Sequence, residues 1–414
     1  SDHQQLIMTV LKQKAKKHGF MCLLHEKPFA GINGSGKHIN WSVGNATQGN
    51  LLDPGDSPHE NAQFLLFCGA VIRGVHQYGP LMRAAIATAS NDHRLGANEA
   101  PPAIMSVYLG TELEEIFEQI KTGTIAESRQ KGVMDIGVDV VPQLTRDAGD
   151  RNRTSPFAFT GNRFEFRAVG SNQSVSGPLI VLNTMLADSL DWVGNQLENE
   201  LNKGTDIDTA ILTVLKKVME QHSAVIFGGN GYSEEWQKMA VEERGLLNLP
   251  TTADALPVLK QELIEDLFKK TGVLTSVELE SRFEVYAEQY ILSIEVEARL
   301  MVKMAKTMIY PAAMEYLSQL SSTISNLTHL NITLETDNIQ KIANLTNSIV
   351  HAISDLETAL EQDEFANTEE KMQHCANTLL PIMNELREKA DHLEGEVADR
   401  DWPLPSYQEM LFIK

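Results

Sequence analysis

Cysteine is scarce in this sequence, which has only Cys22, Cys68 and Cys375 in 414 residues. Three cysteines at distant positions cannot build a disulfide framework or a CxxC metal knuckle, so we predict reduced and mostly buried thiols. Long apolar runs are missing as well. The longest run, around residues 64–72, is far shorter than the roughly 20 residues that a bilayer crossing requires. The sequence therefore predicts no membrane-spanning helix.

A secretory leader is also missing from the first residues. Residues 1–5 contain neither a basic segment nor an apolar core, so we predict no signal peptide and a cytoplasmic location. The chain opens on a helical pattern and not on methionine, which indicates processing or a segment cut from something longer.

Basic residues are too few to balance the acidic ones, with 35 Lys and Arg against 56 Asp and Glu and a net charge of -21. A nucleic-acid-binding protein needs a basic face, so this class is excluded. Residues 1–170 contain 17 basic and 17 acidic residues, and residues 171–414 contain 18 and 39. We therefore expect anionic substrates to be handled in the balanced first part, and a solvated or assembly surface in the second.

Hydrophobic periodicity separates the chain into two kinds of sequence. In the first part we predict helices over 1–18 and 58–77, and a shorter helix that ends near residue 90. The predicted strands of this part are 20–24, 39–43, 104–109, 137–141 and 163–169. Beyond about residue 175 long helices dominate, with further stretches at 312–334, 338–362 and 369–397. One helix has apolar residues at three- and four-residue steps: Phe283, Ala287, Tyr290, Ile294, Ala298, Met301, Ala305 and Met308.

The most concentrated polar signal is the segment 25–42, HEKPFAGINGSGKHINWS. Its glycines at 31, 34 and 36 let backbone N–H groups approach an anion closely. In the strand that follows, His38, Asn40 and Ser42 alternate with a period of two and share one face. The segment is therefore either a binding surface or a hairpin with a solvent-facing polar side.

Two further segments contain clustered charge. On a strand, Arg163, Glu165 and Arg167 share one face while phenylalanines bury the other. Such a row is either a surface ion-pair ladder or a phosphate and metal site. The third segment, 91–102, is a loop with one arginine, Arg94, and one glutamate, Glu99. By itself it is an ordinary loop.

Taken together and in this order, the three segments resemble glutamine synthetases, and the match is close to the long type III subfamily. The resemblance covers about residues 1–185. It implies an α+β fold, in which the antiparallel-sheet catalytic half of a glutamine synthetase domain (1–185) precedes an acidic, long-helix, bundle-like C-terminal extension (186–414).

The resemblance also implies roles for single residues. His38 and Glu165 match ligands of a catalytic divalent metal, and Asn33 and Gly34 match the loop that holds glutamate. The positions that match nucleotide contacts are Asn40, Ser42 and Arg163, although the family's second histidine is here Asn40. The positions that match groups around glutamate and its phosphorylated intermediate are Arg94, Arg153 and Arg167. Glu99 resembles the flap glutamate that helps to deprotonate ammonium.

The implied activity is the ATP-dependent ligation of ammonia to glutamate through γ-glutamyl phosphate, with Mg²⁺ or Mn²⁺, in a homo-oligomer of stacked rings, such as a dodecamer. The implied partners are ATP, glutamate and ammonium, and we expect neither nucleic acid nor membrane as partners. Two alternatives stay open: a non-catalytic structural or regulatory relative, and a γ-glutamyl ligase that uses another amine.

One departure from the family concerns the metal sites. Four further glutamates complete them in the family, in a part of the chain that lies upstream of the helix with which this sequence begins. His38 and Glu165 alone would leave a divalent ion under-coordinated. We therefore expect this sequence to be the C-terminal portion of a longer polypeptide.

Overall fold

The computed structural model describes residues 2–29, 31–96, 100–123, 154–405 and 407–410. Glu99, Arg153 and the predicted strand over 137–141 lie outside the described residues. The strands are β1 (Gly36–Trp41), β2 (Gly44–Asn45), β3 (Gly49–Asn50), β4 (Val107–Tyr108), β5 (Phe157–Phe159) and β6 (Phe164–Gly170).

Helices make up most of the rest, so the fold is α+β with a small sheet. Those up to residue 271 are α1 (Asp2–Lys17), α2 (Ala62–Ala84), α3 (Ala89–Asp92), α4 (Thr111–Thr122), α5 (Ser176–Asn202), α6 (Ile207–His222), α7 (Glu234–Glu242), α8 (Thr252–Ala255) and α9 (Glu262–Thr271). The later ones are α10 (Ser276–Met304), α11 (Tyr310–His329), α12 (Asp337–Leu360), α13 (Thr368–His374), α14 (Leu380–Glu394) and α15 (Tyr407–Met410).

Side-chain caps and a glycine explain several helix ends. The Asn61 side chain accepts from the N–H of Phe64 at 3.0 Å and so starts α2. Asp206 starts α6 in the same way, by accepting from the N–H of Thr209. Each of these caps satisfies an N–H group that has no partner within the helix. Helix α9 ends at Gly272, whose φ of +67° is a conformation that glycine adopts without strain.

The four-stranded sheet has the order β1-β6-β5-β4. Strand β6 pairs with both β1 and β5 in antiparallel fashion, but β4 pairs with β5 in parallel. The sheet is therefore mixed and not antiparallel throughout as predicted, because the short β4 is joined to β5 by a long connection and not by a hairpin.

The predicted strand over 20–24 is wrong. Only Phe20 forms a bridge, and Met21 and Leu23 are exposed.

Helix α2 joins two helices that the sequence predicts separately. It is kinked where Tyr78 has non-helical angles (φ -121°, ψ 18°), two residues before Pro80. Proline has no N–H and its ring collides with the preceding turn, which bends the helix without ending it. The second predicted helix is therefore the continuation of α2 beyond its kink.

The chain divides into two compact units. The first is built mainly on Leu23–Phe283, and the second on the helices that follow, with α1 divided between them. The domain boundary predicted after residue 185 lies inside α5. No helix in the described part of the chain is long and apolar enough to cross a bilayer.

In the second unit, α12 packs against α11 and α14. Helix α10 passes into α11, and α13 into α14, through π-helical turns at Ala305–Ile309 and Cys375–Leu379. Pro311 and Pro381 lie directly after these turns and remove a helical N–H donor, which accounts for the altered hydrogen bonding.

The predicted apolar stripe on α10 is confirmed for most of its members, since Ala287, Tyr290, Ile294, Ala298 and Ala305 are buried.

The prediction that the cysteine thiols are mostly buried is confirmed. Cys68 and Cys375 are buried, Cys22 is half-buried, and none of them forms a disulfide.

Candidate functional site

Strand β1 places its polar and apolar side chains on opposite faces. Ile39 and Trp41 are buried, whereas His38 and Asn40 are exposed, as the period of two predicts. Trp41 is held in place by its indole N–H, which donates to Oδ1 of Asn183 at 3.0 Å. Ser42 lies just beyond the strand and is exposed. The face that carries His38 and Asn40 is therefore open.

Strand β6 brings Glu165 beside this open face. Asn40 and Glu165 are partners in the β1–β6 register. The carboxylate Oε1 of Glu165 lies 2.9 Å from Nδ1 of His38. The His38 side chain is 40% exposed and that of Glu165 is 18% exposed. An imidazole and a carboxylate separated by 127 positions in the chain thus meet at the surface of the sheet.

A bulge between the strands sets the position of His38. The register passes from Lys37 opposite Val169 to Ile39 opposite Phe166. Strand β6 therefore has one extra residue opposite His38. Because a bulge interrupts the alternation of faces, residues on its two sides need not follow one period of two.

The prediction that Arg163, Glu165 and Arg167 share one face of a strand is therefore wrong for Arg167. Arg163 is exposed in the bend before β6, and Arg167 is only 1% exposed. The Arg167 guanidinium donates from Nη2 to the backbone carbonyl of Ser155 at 2.8 Å. In this structure Arg167 stabilises the segment that leads into β5.

Arg94 lies beneath β1 and is also buried. Its Nη2 donates to the carbonyl of Arg167 at 2.9 Å. Burial lowers the pKa of Arg94 to about 10, although the negative charge of Glu26 acts in the opposite direction. A Cβ at Gly36 would lie 2.3 Å from Cζ of Arg94. Gly36 is therefore required for the close approach of an arginine side chain.

The glycine loop, residues 31–36, likewise leaves no room for a side chain at Gly34. A Cβ there would lie 2.5 Å from the carbonyl oxygen of Glu26, to which the N–H of Ser35 donates at 2.8 Å. Gly31 has a φ of +72° and serves the turn itself. Asn33 is exposed at the tip of this loop.

Two residues of this segment received no role from the sequence, Glu26 and Lys37. Glu26 is fully buried and accepts the N–H of Asn172 at Oε1, at 2.9 Å. The ammonium of Lys37 donates to the carbonyls of Gly170, Ser171 and Gln173. Burial lowers the pKa of Lys37, against the charge of Glu26. Both residues fasten the segment after β6. The sequence contained a signal that Lys37 is unusual: it is a charged residue on the same strand face as the apolar residues Ile39 and Trp41.

The donor set at His38 and Glu165 fits part of a divalent-metal site. Carboxylate oxygens suit Mg²⁺ and Mn²⁺, and a neutral imidazole can join them as a ligand. Among the described residues, no group of three or more His, Cys, Asp or Glu side chains is arranged to hold a metal. His38 and Glu165 could thus provide two ligands of an ion whose other ligands lie elsewhere.

Two family models match this chain. The model for the catalytic domain of glutamine synthetase matches residues 1–105, and that for the glutamine synthetase C-terminal domain matches residues 210–328. The first match includes the glycine loop, His38 and Arg94.

Curated relatives align over nearly the whole chain. A type-3 glutamine synthetase of Dictyostelium discoideum is 41% identical over 423 aligned residues, which cover 100% of this chain and 57% of the relative. Glutamine synthetases of Bacteroides fragilis and Butyrivibrio fibrisolvens are 37% and 38% identical, and the alignments cover 58% and 59% of those relatives. This chain thus spans less than two thirds of the length of the relatives that it matches.

Proposed function

We propose that this chain is a member of the glutamine synthetase family and contributes the His38–Glu165 part of a centre that ligates ammonia to glutamate; its similarity to a type-3 glutamine synthetase over its whole length supports this. The single observation that carries this proposal is the 2.9 Å approach of Nδ1 of His38 to Oε1 of Glu165. The resemblance assigns both residues to one metal, and a shared ligand role requires them to be neighbours. ATP and Mg²⁺ or Mn²⁺ are the implied cofactors.

The chemistry gives each group a task. An amide forms from a carboxylate and ammonia only after the carboxylate is activated, here as an acyl phosphate made from ATP. A divalent ion supplies positive charge for the phosphoryl oxygens during that transfer. His38 and Glu165 would hold this ion at the open face of the sheet. In this proposal Asn40, the register partner of Glu165, contacts the nucleotide.

The remaining assignments are part of the same proposal. Asn33 and Gly34 position glutamate at the loop tip, and Ser42 and Arg163 contact the nucleotide. Arg153 acts in catalysis, where it contacts both the nucleotide and the phosphorylated intermediate. Glu99 accepts a proton from ammonium. Arg94 and Arg167 bind glutamate and its phosphorylated form. In this structure Nη2 of each of these guanidinium groups donates to a backbone carbonyl.

The test uses the protein in the form in which its source makes it. Incubation with ATP, glutamate, ammonium and Mg²⁺ is expected to give equal amounts of glutamine and phosphate. Omission of either the metal or ATP is expected to stop both. Formation of phosphate without glutamine, or much faster reaction with a polyamine than with ammonium, would contradict the choice of ammonia as substrate.

A second candidate is a non-catalytic relative that keeps the fold. It is favoured by the donor count, because no third metal-binding side chain joins His38 and Glu165 among the described residues. This candidate predicts no turnover with any amine. Titration with Mn²⁺, followed by the electron paramagnetic resonance of the free ion, would then show no tight site.

We also propose a homo-oligomer built of stacked rings and located in the cytoplasm. Helix α1 supports an assembly, because it has no buried residue. Its apolar residues Leu6, Ile7, Val10 and Leu11 are all exposed. Contiguous exposed apolar surface is typical of an interface. Light scattering after gel filtration measures the mass, and a monomeric mass would contradict the ring.

A further inference from the structure

Helix α10 is apolar on two opposite sides in the part that belongs to the second unit. One side carries the buried stripe described above. The opposite side carries four aliphatic residues that are 46–64% exposed: Val285, Leu292, Val296 and Leu300. Spacings of seven, four and four positions keep these residues on one face of the helix. We call these four residues the outer stripe.

Two contacts with α13 fix the side of α10 that faces outward. Oε2 of Glu284 accepts from the hydroxyl of Thr368 at 3.0 Å. Oε1 of Glu295 lies 2.8 Å from Nζ of Lys371. Helix α10 therefore cannot rotate to bury the outer stripe within its own unit without breaking both contacts.

A solvent-facing side of this composition is unusual for a helix. Helices that pack on a core with one side normally carry polar and charged residues on the other. Contiguous exposed apolar surface is typical of an interface. The outer stripe therefore indicates a partner that presents aliphatic side chains at a helical spacing.

The charges beside the outer stripe indicate which partner this is. Glu288 precedes the middle of the stripe and Arg299 follows it, and both are exposed. They lie on the same flank of the stripe, because eleven positions correspond to about three helical turns. The flank is thus acidic at one end and basic at the other.

Such a surface is complementary to a copy of itself that runs in the opposite direction. With a two-fold axis near residue 294, Leu292 of one copy lies opposite Val296 of the other. The same axis brings Glu288 opposite Arg299, and each of these pairs occurs twice. A parallel pair would instead place Glu288 beside Glu288 and Arg299 beside Arg299. Flanking charges of this kind set the orientation of paired helices.

We propose that the outer stripe is a contact between two copies of this chain, in which two α10 helices pack antiparallel about a two-fold axis near residue 294. The contact is separate from the α1 surface that supports the proposed ring, because all of its residues belong to α10.

Cysteine crosslinking of the full chain tests the contact. Leu292→Cys and Val296→Cys are combined in one variant, with the half-buried Cys22 replaced by serine and the buried Cys68 and Cys375 retained. Oxidised glutathione is the oxidant. We expect most chains to become a covalent dimer that a reductant separates. Peptide mass spectrometry is expected to show position 292 of one copy joined to position 296 of the other.

The matched control is a cysteine pair of the same spacing on α12, Val350→Cys with Ser354→Cys, at two exposed positions. We expect little covalent dimer from it. Circular dichroism checks that the fold of both cysteine variants is retained.

Charge reversal in the crosslinking variant tests the orientation. Glu288→Arg and Arg299→Glu, each made alone, are expected to slow dimer formation by about fivefold or more, because each places like charges opposite one another twice. The two reversals together are expected to restore the rate. Glu288 and Arg299 are about 16 Å apart along their own helix, so this rescue requires contact between copies.

Three results would overturn the proposal: no covalent dimer, a bond that joins identical positions, or no rescue by the double reversal. Crosslinking does not depend on ligase activity. An assembly of ring mass that lacks this bond would remove the α10 contact and leave the proposed ring in place.

Discussion

Gly36 lies against the guanidinium of Arg94, so closely that a Cβ at position 36 would be 2.3 Å from the arginine Cζ. Arg94 in turn donates to the carbonyl of Arg167. Backbone of β1, side chain of Arg94 and backbone of β6 therefore form one packed unit beneath the His38–Glu165 pair. Arg94 thus links β1 to the strand that carries Glu165.

The first prediction concerns this contact. Gly36→Ala is expected to reduce the free energy of unfolding by about 1–3 kcal/mol, the usual cost of overpacking a filled interior. Urea denaturation measures it. Gly194→Ala is the control, because it makes the same change inside α5 where nothing lies within 4 Å of the new Cβ. The control is expected to gain up to about 1 kcal/mol from helix propensity. Equal changes in the free energy of unfolding in the two variants would show that the Arg94 side chain moves aside at no cost.

The second prediction concerns the charge cluster around Asp188. Its carboxylate accepts from Arg73, Tyr78 and Lys270 at 2.8–2.9 Å. Asp188→Asn is expected to cost about 3 kcal/mol or more, because Arg73 is left buried without its counter-charge. Thermal and urea unfolding measure the loss.

The matched control is Asp191→Asn. Asp191 also pairs with Lys270, at 2.7 Å, but its side chain is 52% exposed. Surface pairs contribute little, so a change below about 1 kcal/mol is expected. Similar losses in the two variants would contradict the role assigned to burial.

The third prediction concerns the contact between His76 and His222, whose Nδ1 atoms lie 2.9 Å apart. Burial lowers the pKa of His222 from 6.5 to about 4, and the positive charges of His76 and Arg73 add to the effect. At a pH between these two pKa values, His222 therefore binds a proton in the unfolded chain but not in the folded chain. The resulting stability is complete above about pH 6.5 and is lost as the pH falls towards 4.

Urea unfolding at pH 7 and pH 5 tests this linkage. Wild type is expected to lose on the order of 2 kcal/mol more than His222→Gln between these two pH values. His351→Gln, a change at an exposed histidine of α12, is expected to behave as wild type. Identical pH dependence in wild type and His222→Gln would disprove the assignment.

The fourth prediction concerns the proposed metal site. Glu165→Gln keeps the shape of the side chain and removes its charge, so Mn²⁺ affinity is expected to fall by about tenfold or more with the fold retained. Electron paramagnetic resonance of free Mn²⁺ measures binding, and circular dichroism checks the fold. Glu235→Gln, at an exposed position of α7, is the control. Unchanged affinity in Glu165→Gln would remove Glu165 from the site.

Much of the local structure is predictable from the sequence. The alternation of His38 and Asn40 with Ile39 and Trp41 identifies the two faces of β1. The stripe along α10 identifies its buried side, because a period near 3.6 depends only on the helix itself. The kink of α2 is marked by Pro80, but a proline by itself does not say whether a helix bends or ends.

The buried arginines were not predictable in the same way. A period of two placed Arg167 with Glu165, and the bulge opposite His38 removed that relation. The burial of Arg94 depends on Gly36 and on the carbonyl of Arg167, which are distant from it in the chain. The parallel pairing of β4 with β5 is likewise decided between distant segments.

The sequence by itself indicated the resemblance to glutamine synthetases, the helices of the second half and the faces of single strands, because these follow from local periodicity and from ordered motifs. Only the tertiary structure decided which faces meet. It brought His38 to Glu165 across 127 positions, turned Arg94 and Arg167 towards backbone carbonyls, and left one nitrogen of Arg83 without a partner among the described residues. The reason is physical: pairing register, bulges and burial arise from contacts between distant segments, and no periodicity within one segment encodes them.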